Sequence, residues 1–148
     1  MTSWQVTYQG YKKALHQLTL GVQQSKLNTL SELEKLGLIH CFEITHTLAW
    51  HCLKDFLQYQ GAHHLADAID TTRKAISVKL IQEGTIWMDM VARRNQAIHA
   101  YEKVQRDAIV DLVINKYHRE FCQLNDRLEA LKEDGNKGHK YRFINETI

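Results

Sequence analysis

The chain has 148 residues, 44% of them apolar and 24% charged, and a formal net charge of +2. That length fits one domain with a real core and leaves little room for a second. So small a net charge excludes nucleic-acid binding through an overall field, and any RNA contact has to come from a local basic patch.

Met1, Thr2, Ser3 and Trp4 open the chain without a basic n-region and apolar h-region. No apolar run approaches the roughly 18–20 residues of a membrane span. The expectation is a cytoplasmic protein with no membrane contact. Cys41, Cys52 and Cys122 lack CxxC spacing and read as buried reduced thiols.

The absence of proline suits a chain built mostly of long helices. Trp4, Tyr8, Tyr11, Leu15, Leu18 and Val22 recur at alternating spacings of 4 and 3, the apolar stripe of a first helix. Ser31 with Glu34 forms a capping-box pattern that starts a second helix. Its apolar positions are Leu33, Leu36, Phe42, Leu48, Ala49, Cys52, Leu53 and Phe56, and Gly61 is its natural stop. So wide an apolar arc marks the central member of a bundle. Residues 61–70 form a connector containing His63 and His64, and a shorter helix is expected over 71–80, ended by Glu83-Gly84. Thr85 is the expected cap of a fourth helix with inner face Ile86, Trp87, Met90, Val91 and Arg94. Phe42, Trp50 and Trp87 fall on apolar stripes as core anchors.

The last helix is expected over 104–131, with Val110, Val113, Tyr117, Phe121, Leu124, Leu128 and Leu131 spaced 3 and 4 apart. Ala108-Ile109-Val110 also reads as strand, but the helical spacing beyond it argues otherwise. Asp134-Gly135-Asn136 breaks the pattern. The sequence therefore predicts an all-α antiparallel bundle of four to five helices over residues 1–132, followed by a polar basic tail over 133–148.

Residues 94–101 read Arg94-Asn95-Gln96-Ala97-Ile98-His99-Ala100-Tyr101. A guanidinium offers a fork of donors to a phosphate, and an imidazole moves a proton near neutral pH. The combination points to chemistry on a phosphodiester or to recognition of a nucleotide. On a continuous helix, positions five apart differ by ~140°, so Arg94 and His99 face different ways while Asn95 and His99 share a face. Either the helix ends near His99 or the site is assembled across two chains. A helix ending there favours the cationic imidazole through its dipole.

Each of these residues also has a plainer reading. Arg94 reads as a structural partner of Glu43, and His99 as a capping or core histidine. Asn95 reads as a cap or surface amide, and Tyr101 as an ordinary aromatic. Glu43 and Lys54 are either surface charges or buried partners that position Arg94. His40, Cys41, His46, His51 and Cys52 crowd one helix, but their offsets of 5, 6 and 11 do not give the i, i+4 pair of a helical metal site, so no metal is expected. Arg73, Lys74, Lys79, Arg93 and Arg94 form either an RNA-facing patch or a solvated face. Lys137, Lys140 and Arg142 would add nonspecific phosphate contacts that weaken with salt.

The eight-residue string resembles the signature of HEPN domains, an all-α nucleotide-binding fold. Residues 39–58, with Phe42-Glu43-Ile44-Thr45, Leu48-Ala49-Trp50 and Leu53-Lys54-Asp55-Phe56-Leu57, resemble the F-E-x-T…L-A-W…L-K-D-x-L segment of one branch, the bacterial nucleotidyltransferase substrate-binding proteins. Trp87, about two turns before Arg94, is similar to that branch as well. The resemblance covers residues 5–131 and has one departure. The usual A-x-x-x-G-L-I stretch appears as Ala75-Ile76-Ser77-Val78-Lys79-Leu80-Ile81, with a larger residue in place of the glycine.

The resemblance implies a toxin of a toxin–antitoxin pair: a homodimeric, metal-independent endoribonuclease without cofactor, neutralised by a cognate minimal nucleotidyltransferase antitoxin. In that reading His99 is the general acid/base for attack by an RNA 2′-hydroxyl, and Arg94 stabilises the charge of the transition state. Asn95 orients the histidine or a phosphate oxygen, and Glu43 and Arg93 are the candidate supporting residues. Tyr101 matches the tyrosine that the nucleotidyltransferase modifies with AMP. The alternative is a non-catalytic substrate- or nucleotide-binding subunit of a two-component nucleotidyltransferase. A helical interaction protein with a vestigial motif is a third reading.

Overall fold

The stripe Trp4, Tyr8, Tyr11, Leu15, Leu18 and Val22 is buried along its whole length and builds α1 (Ser3–Leu27). The computed structural model describes residues 1–97 and 102–136. Ser31 caps α2 (Glu32–Tyr59) as expected: its hydroxyl accepts from Glu34 N–H at 3.1 Å, and the Glu34 carboxylate accepts from Ser31 N–H at 2.7 Å. The turn between the two helices is short, so α2 runs antiparallel to α1. Trp4 packs edge-on against Phe56 with ring centroids 5.1 Å apart, and near the other end a Cβ on Gly21 would lie 2.8 Å from Leu38 Cδ1. Any larger residue there would push the Leu38 side chain aside.

Two helix ends are left-handed turns of the same kind. Gly61, with φ 101°, ends α2, where Ala62 N–H reaches Leu57 O and Gly61 N–H reaches Gln58 O. The connector yields to α3 (Ala68–Ser77) once Asp67 accepts from Asp70 N–H at 2.9 Å. The helix begins and ends about three residues before the expected 71–80, because Asp67 supplies a cap and Lys79 takes a φ of 61°. Leu80 N–H then bonds Ala75 O, and Lys79 N–H bonds Ile76 O. Lys79 occupies the position where the related pattern carries glycine, so the turn survives with a side chain in it.

α4 (Gly84–Gln96) starts one residue before the expected Thr85 cap, with Glu83 as its N-cap. α5 (Lys103–Leu112), a π-helical turn (Val113–Tyr117) and α6 (His118–Asn136) follow in helical conformation through both junctions, forming one rod. That rod extends past the expected stop near Leu131. With α1 to α4 it makes five helices, and every described element is helical: an all-α bundle. The π turn has a sequence cause. Val113, Tyr117 and Phe121 are all fully buried at successive spacings of 4, which on a regular α-helix would rotate the stripe by ~80°. A wider turn cancels that drift and keeps all three facing inward.

The core joins α2, α4 and the last rod through aromatic rings. Phe42 stacks on Tyr117 at 5.2 Å and lies 6.2 Å from Phe121, and Trp87 meets Phe121 edge-on at 5.6 Å. Phe42 and Trp87 are core anchors, but Trp50 is not. It is half-buried and packs edge-on against its neighbour His51 at 4.2 Å. Leu33 and Leu36 are likewise not core, being 80% and 39% exposed. The first turns of α2 meet α5 through charge instead. Lys35 lies 2.9 Å from both Glu32 and Asp107, Arg106 lies 2.9 Å from Glu32, and Lys103 lies 3.0 Å from Asp107. All three cysteines are free thiols, with Cys52 buried and Cys41 and Cys122 half-buried. Among the described residues no helix is long and apolar enough to cross a membrane.

Lys79→Gly should stabilise the fold by about 1 kcal/mol, read as a higher urea midpoint, because glycine removes the left-handed penalty without touching a contact. The charge network predicts an acid limb. Hydrogen bonds from Lys35 and Arg106 hold the Glu32 carboxyl down from 4.5 to about 2, and those from Lys35 and Lys103 lower Asp107. Depressed carboxylates contribute stability above their unfolded pKa and lose it as pH falls towards the folded one. The melting temperature should therefore fall between pH 4.5 and about 2, and Glu32→Gln should flatten that limb.

Candidate functional site

Arg94 follows Trp87 by seven residues, two helical turns, and so projects from nearly the same face of α4. Trp87, Met90 and Val91 bury that face, and Arg94 stands where the stripe reaches the edge of the core. Its half-buried side chain enters a cleft of about 330 Å³ between α2 and α4, lined also by His40, Glu43, Ile44, Thr47 and Leu48. The expected neighbour Glu43 is thus in the same cleft, but no salt bridge joins it to Arg94 among the described residues. Thr47 Oγ1 donates to the Glu43 backbone carbonyl at 2.9 Å. Arg94 Nε is buried and has no hydrogen-bond partner among the described residues.

Arg93 is turned about 100° away and has a different environment. Its Nη1 donates to Gln96 Oε1 at 3.0 Å, and its Nε lies 3.9 Å from Asp89 Oδ1, one helical turn back. Asp89 Oδ2 accepts a short hydrogen bond from the Tyr117 hydroxyl. Burial first, and then the Asp89 carboxylate, push the Tyr117 phenol well above its ordinary value, so it remains a donor. On this side Arg93 and Gln96 open onto a cleft of about 460 Å³ against α5, with Val104, Gln105, Ala108 and Ile109. Two consecutive arginines therefore serve two clefts, one compensated by a carboxylate and the other not.

Asn95 is exposed and belongs to neither cleft. α4 ends at Gln96 with Ala97 as its C-cap, so the helix does stop before His99. His99 and Tyr101, the proposed acid/base and modification residues, lie outside the described residues. Among the described residues no group of three histidine, cysteine, aspartate or glutamate side chains is placed to hold a metal.

Three polar residues at this end of the bundle were not singled out from sequence for the roles they take. Asp89 was legible as the i−4 partner of Arg93. Tyr117 was visible only as a core position, since its bond to Asp89 spans 28 residues. His46 was weighed only as a metal ligand. It is 1% exposed, its ring lies 6.2 Å from that of Phe42, and neither ring nitrogen has a hydrogen bond among the described residues. Burial, and secondly the charge of Arg94, push it down to about 3, so the imidazole is neutral.

A family model described as nucleotidyltransferase substrate binding protein like matches residues 6–130. No curated protein matches the chain.

Tyr117→Phe should cost about 1 kcal/mol of stability through loss of the bond to Asp89. A double-mutant cycle with Asp89→Asn, followed by urea denaturation, should return a coupling of similar size. Additive single effects would show that the bond contributes nothing.

Proposed function

We propose a function from one premise: the chain belongs to the nucleotidyltransferase substrate binding protein like family. In this reading it works beside a minimal nucleotidyltransferase as the toxin of a toxin–antitoxin pair, and it cleaves RNA without a metal. The observation that carries the reading is Arg94, a half-buried guanidinium facing an open cleft with no carboxylate paired to it among the described residues. An uncompensated fork of donors is suited to the oxygens of a phosphate.

His99 takes the proton of a ribose 2′-hydroxyl as the oxygen attacks the adjacent phosphorus. The 5′-oxygen leaves with a proton, and a 2′,3′-cyclic phosphate remains. Arg94 offsets the extra negative charge that develops on the phosphoryl oxygens. Asn95 orients the imidazole or one of those oxygens, while Arg93, held by Asp89, and Glu43 in the Arg94 cleft act as supporting groups. Two copies of the chain bring two motifs together. Transfer of AMP from ATP to the Tyr101 hydroxyl by the nucleotidyltransferase, with pyrophosphate leaving, places an anion near His99 in sequence and repels the substrate phosphate. Lys137, Lys140 and Arg142 add salt-sensitive contacts to phosphates.

The second reading, a non-catalytic subunit that presents substrate to the nucleotidyltransferase, takes the same cleft and the same partner, and the family's description favours it. Expression of the chain alone separates the two. The ribonuclease reading expects growth arrest and RNA cleavage that both His99→Ala and Arg94→Ala abolish. Cleavage at equal rates by parent and His99→Ala, or by neither, would sink it. Co-expression with the nucleotidyltransferase should add the mass of one AMP to the peptide containing Tyr101, and Tyr101→Phe should escape both modification and neutralisation.

A further inference from the structure

His46 plays no part in the chemistry above, yet it is the most anomalous side chain in the core. It sits one helical turn after Phe42 on the buried face of α2, 1% exposed, with Nδ1 and Nε2 both lacking hydrogen bonds among the described residues. Buried polar groups are nearly always satisfied, and an unsatisfied one asks for an explanation. A second unmet group lies on the facing helix. Arg94 Nε is buried and also without a partner among the described residues, and the Arg94 charge acts on the His46 ring. The two groups are chemically complementary. A neutral imidazole has one lone pair that accepts, and Arg94 Nε–H is a donor.

We propose that His46 is a positioning residue for Arg94, whose Nε–H it accepts when an anionic phosphate fills the cleft between α2 and α4. The inference rests on the reading of that cleft as a phosphate site. The advantage over a carboxylate lies in charge. A carboxylate would orient the guanidinium but neutralise it, as Asp89 does beside Arg93. A neutral imidazole fixes the plane of the guanidinium and leaves its full charge, with both terminal NH₂ groups, for the phosphate oxygens. Burial keeps the ring neutral in this role, because a protonated imidazole would repel the guanidinium and could not accept from it. The cost is a core position left unsatisfied whenever the cleft is empty.

The test uses the full chain and a 2′-O-methyl oligoribonucleotide, which supplies phosphates but lacks the attacking hydroxyl. Binding is followed by fluorescence anisotropy at fixed salt. His46→Phe keeps an aromatic ring against Phe42 and removes the acceptor. It should raise the melting temperature while weakening binding about tenfold. His46→Gln, which retains a neutral acceptor, should recover most of the lost affinity. In the unsubstituted protein the Arg94 Nε–H cross-peak should shift and exchange more slowly with water when the oligonucleotide is added.

A merely structural histidine would alter stability and leave affinity alone. Unchanged affinity in His46→Phe, or an Arg94 Nε–H signal indifferent to the oligonucleotide, overturns the proposal. Arg94→Gln tells the two failures apart. If it weakens binding and His46→Phe does not, only the role of His46 falls. If Arg94→Gln leaves binding unchanged, the cleft is not a phosphate site and both readings fall.

Discussion

The stack of Phe42 on Tyr117 is the contact around which the candidate site is organised. It joins α2 to the last rod, and through Phe121 it reaches Trp87 on α4. Remove the π turn and Tyr117 would rotate out of register with Val113 and Phe121, since successive steps of four overshoot a regular α-helix by ~40° each. The same turn that holds the ring on Phe42 also directs the hydroxyl to Asp89. Packing and polar placement are thus set by one local departure from helical regularity, which is where π turns are often found in functional proteins.

From that anchor the two arginines acquire opposite characters through helical geometry alone. Trp87 fixes the rotation of α4, so Arg94 lies over the edge of the core towards α2 and Arg93 points towards α5. Asp89, one turn before Arg93, can reach that arginine and not the next. A one-residue shift in the phase of α4 would exchange their environments, and the guanidinium at the head of the motif would become the compensated one.

Much of the fold was legible in the sequence because it depends on local periodicity. The α1 stripe is buried at every expected position, and the capping box at Ser31 forms as read. The errors fall where a nonlocal interaction replaced packing. Leu33 and Leu36 have helical spacing, but the first turns of α2 are held to α5 by Glu32, Lys35, Arg106 and Asp107. Trp50 has the size of a core residue and sits half out of the core beside His51. The α3 boundaries moved because Asp67 caps the helix and Lys79 adopts a left-handed turn that glycine would take more readily. At the site, the arginine and its cleft mate Glu43 were legible. Asp89 was legible as the partner of Arg93 one turn back on the same helix, but its bond to Tyr117 and the role of His46 were not, since both depend on which helix faces which.

The distribution of unmet hydrogen bonds bears on what the fold is built to do. The buried phenols are satisfied: Tyr8 donates to Glu129 at 2.6 Å, Tyr11 to the Phe121 carbonyl at 2.6 Å, and Tyr117 to Asp89. Thr45 and Thr72 donate back to their own helices. Among the described residues, the buried nitrogens of the His46 ring and Nε of Arg93 and Arg94 have no hydrogen-bond partner, and neither do the Thr2 and Thr71 hydroxyls. Each such group carries a desolvation cost of about 1–3 kcal/mol, which is large against the net stability of a small domain. A bundle that satisfies its tyrosines to this degree has the means to satisfy an imidazole, or to replace it with a leucine. Arg94 Nε near the end of α4 and the His46 ring on the facing α2 are an unspent donor and an unspent acceptor near the start of the motif, and a phosphate in the cleft is the ligand proposed to draw on them.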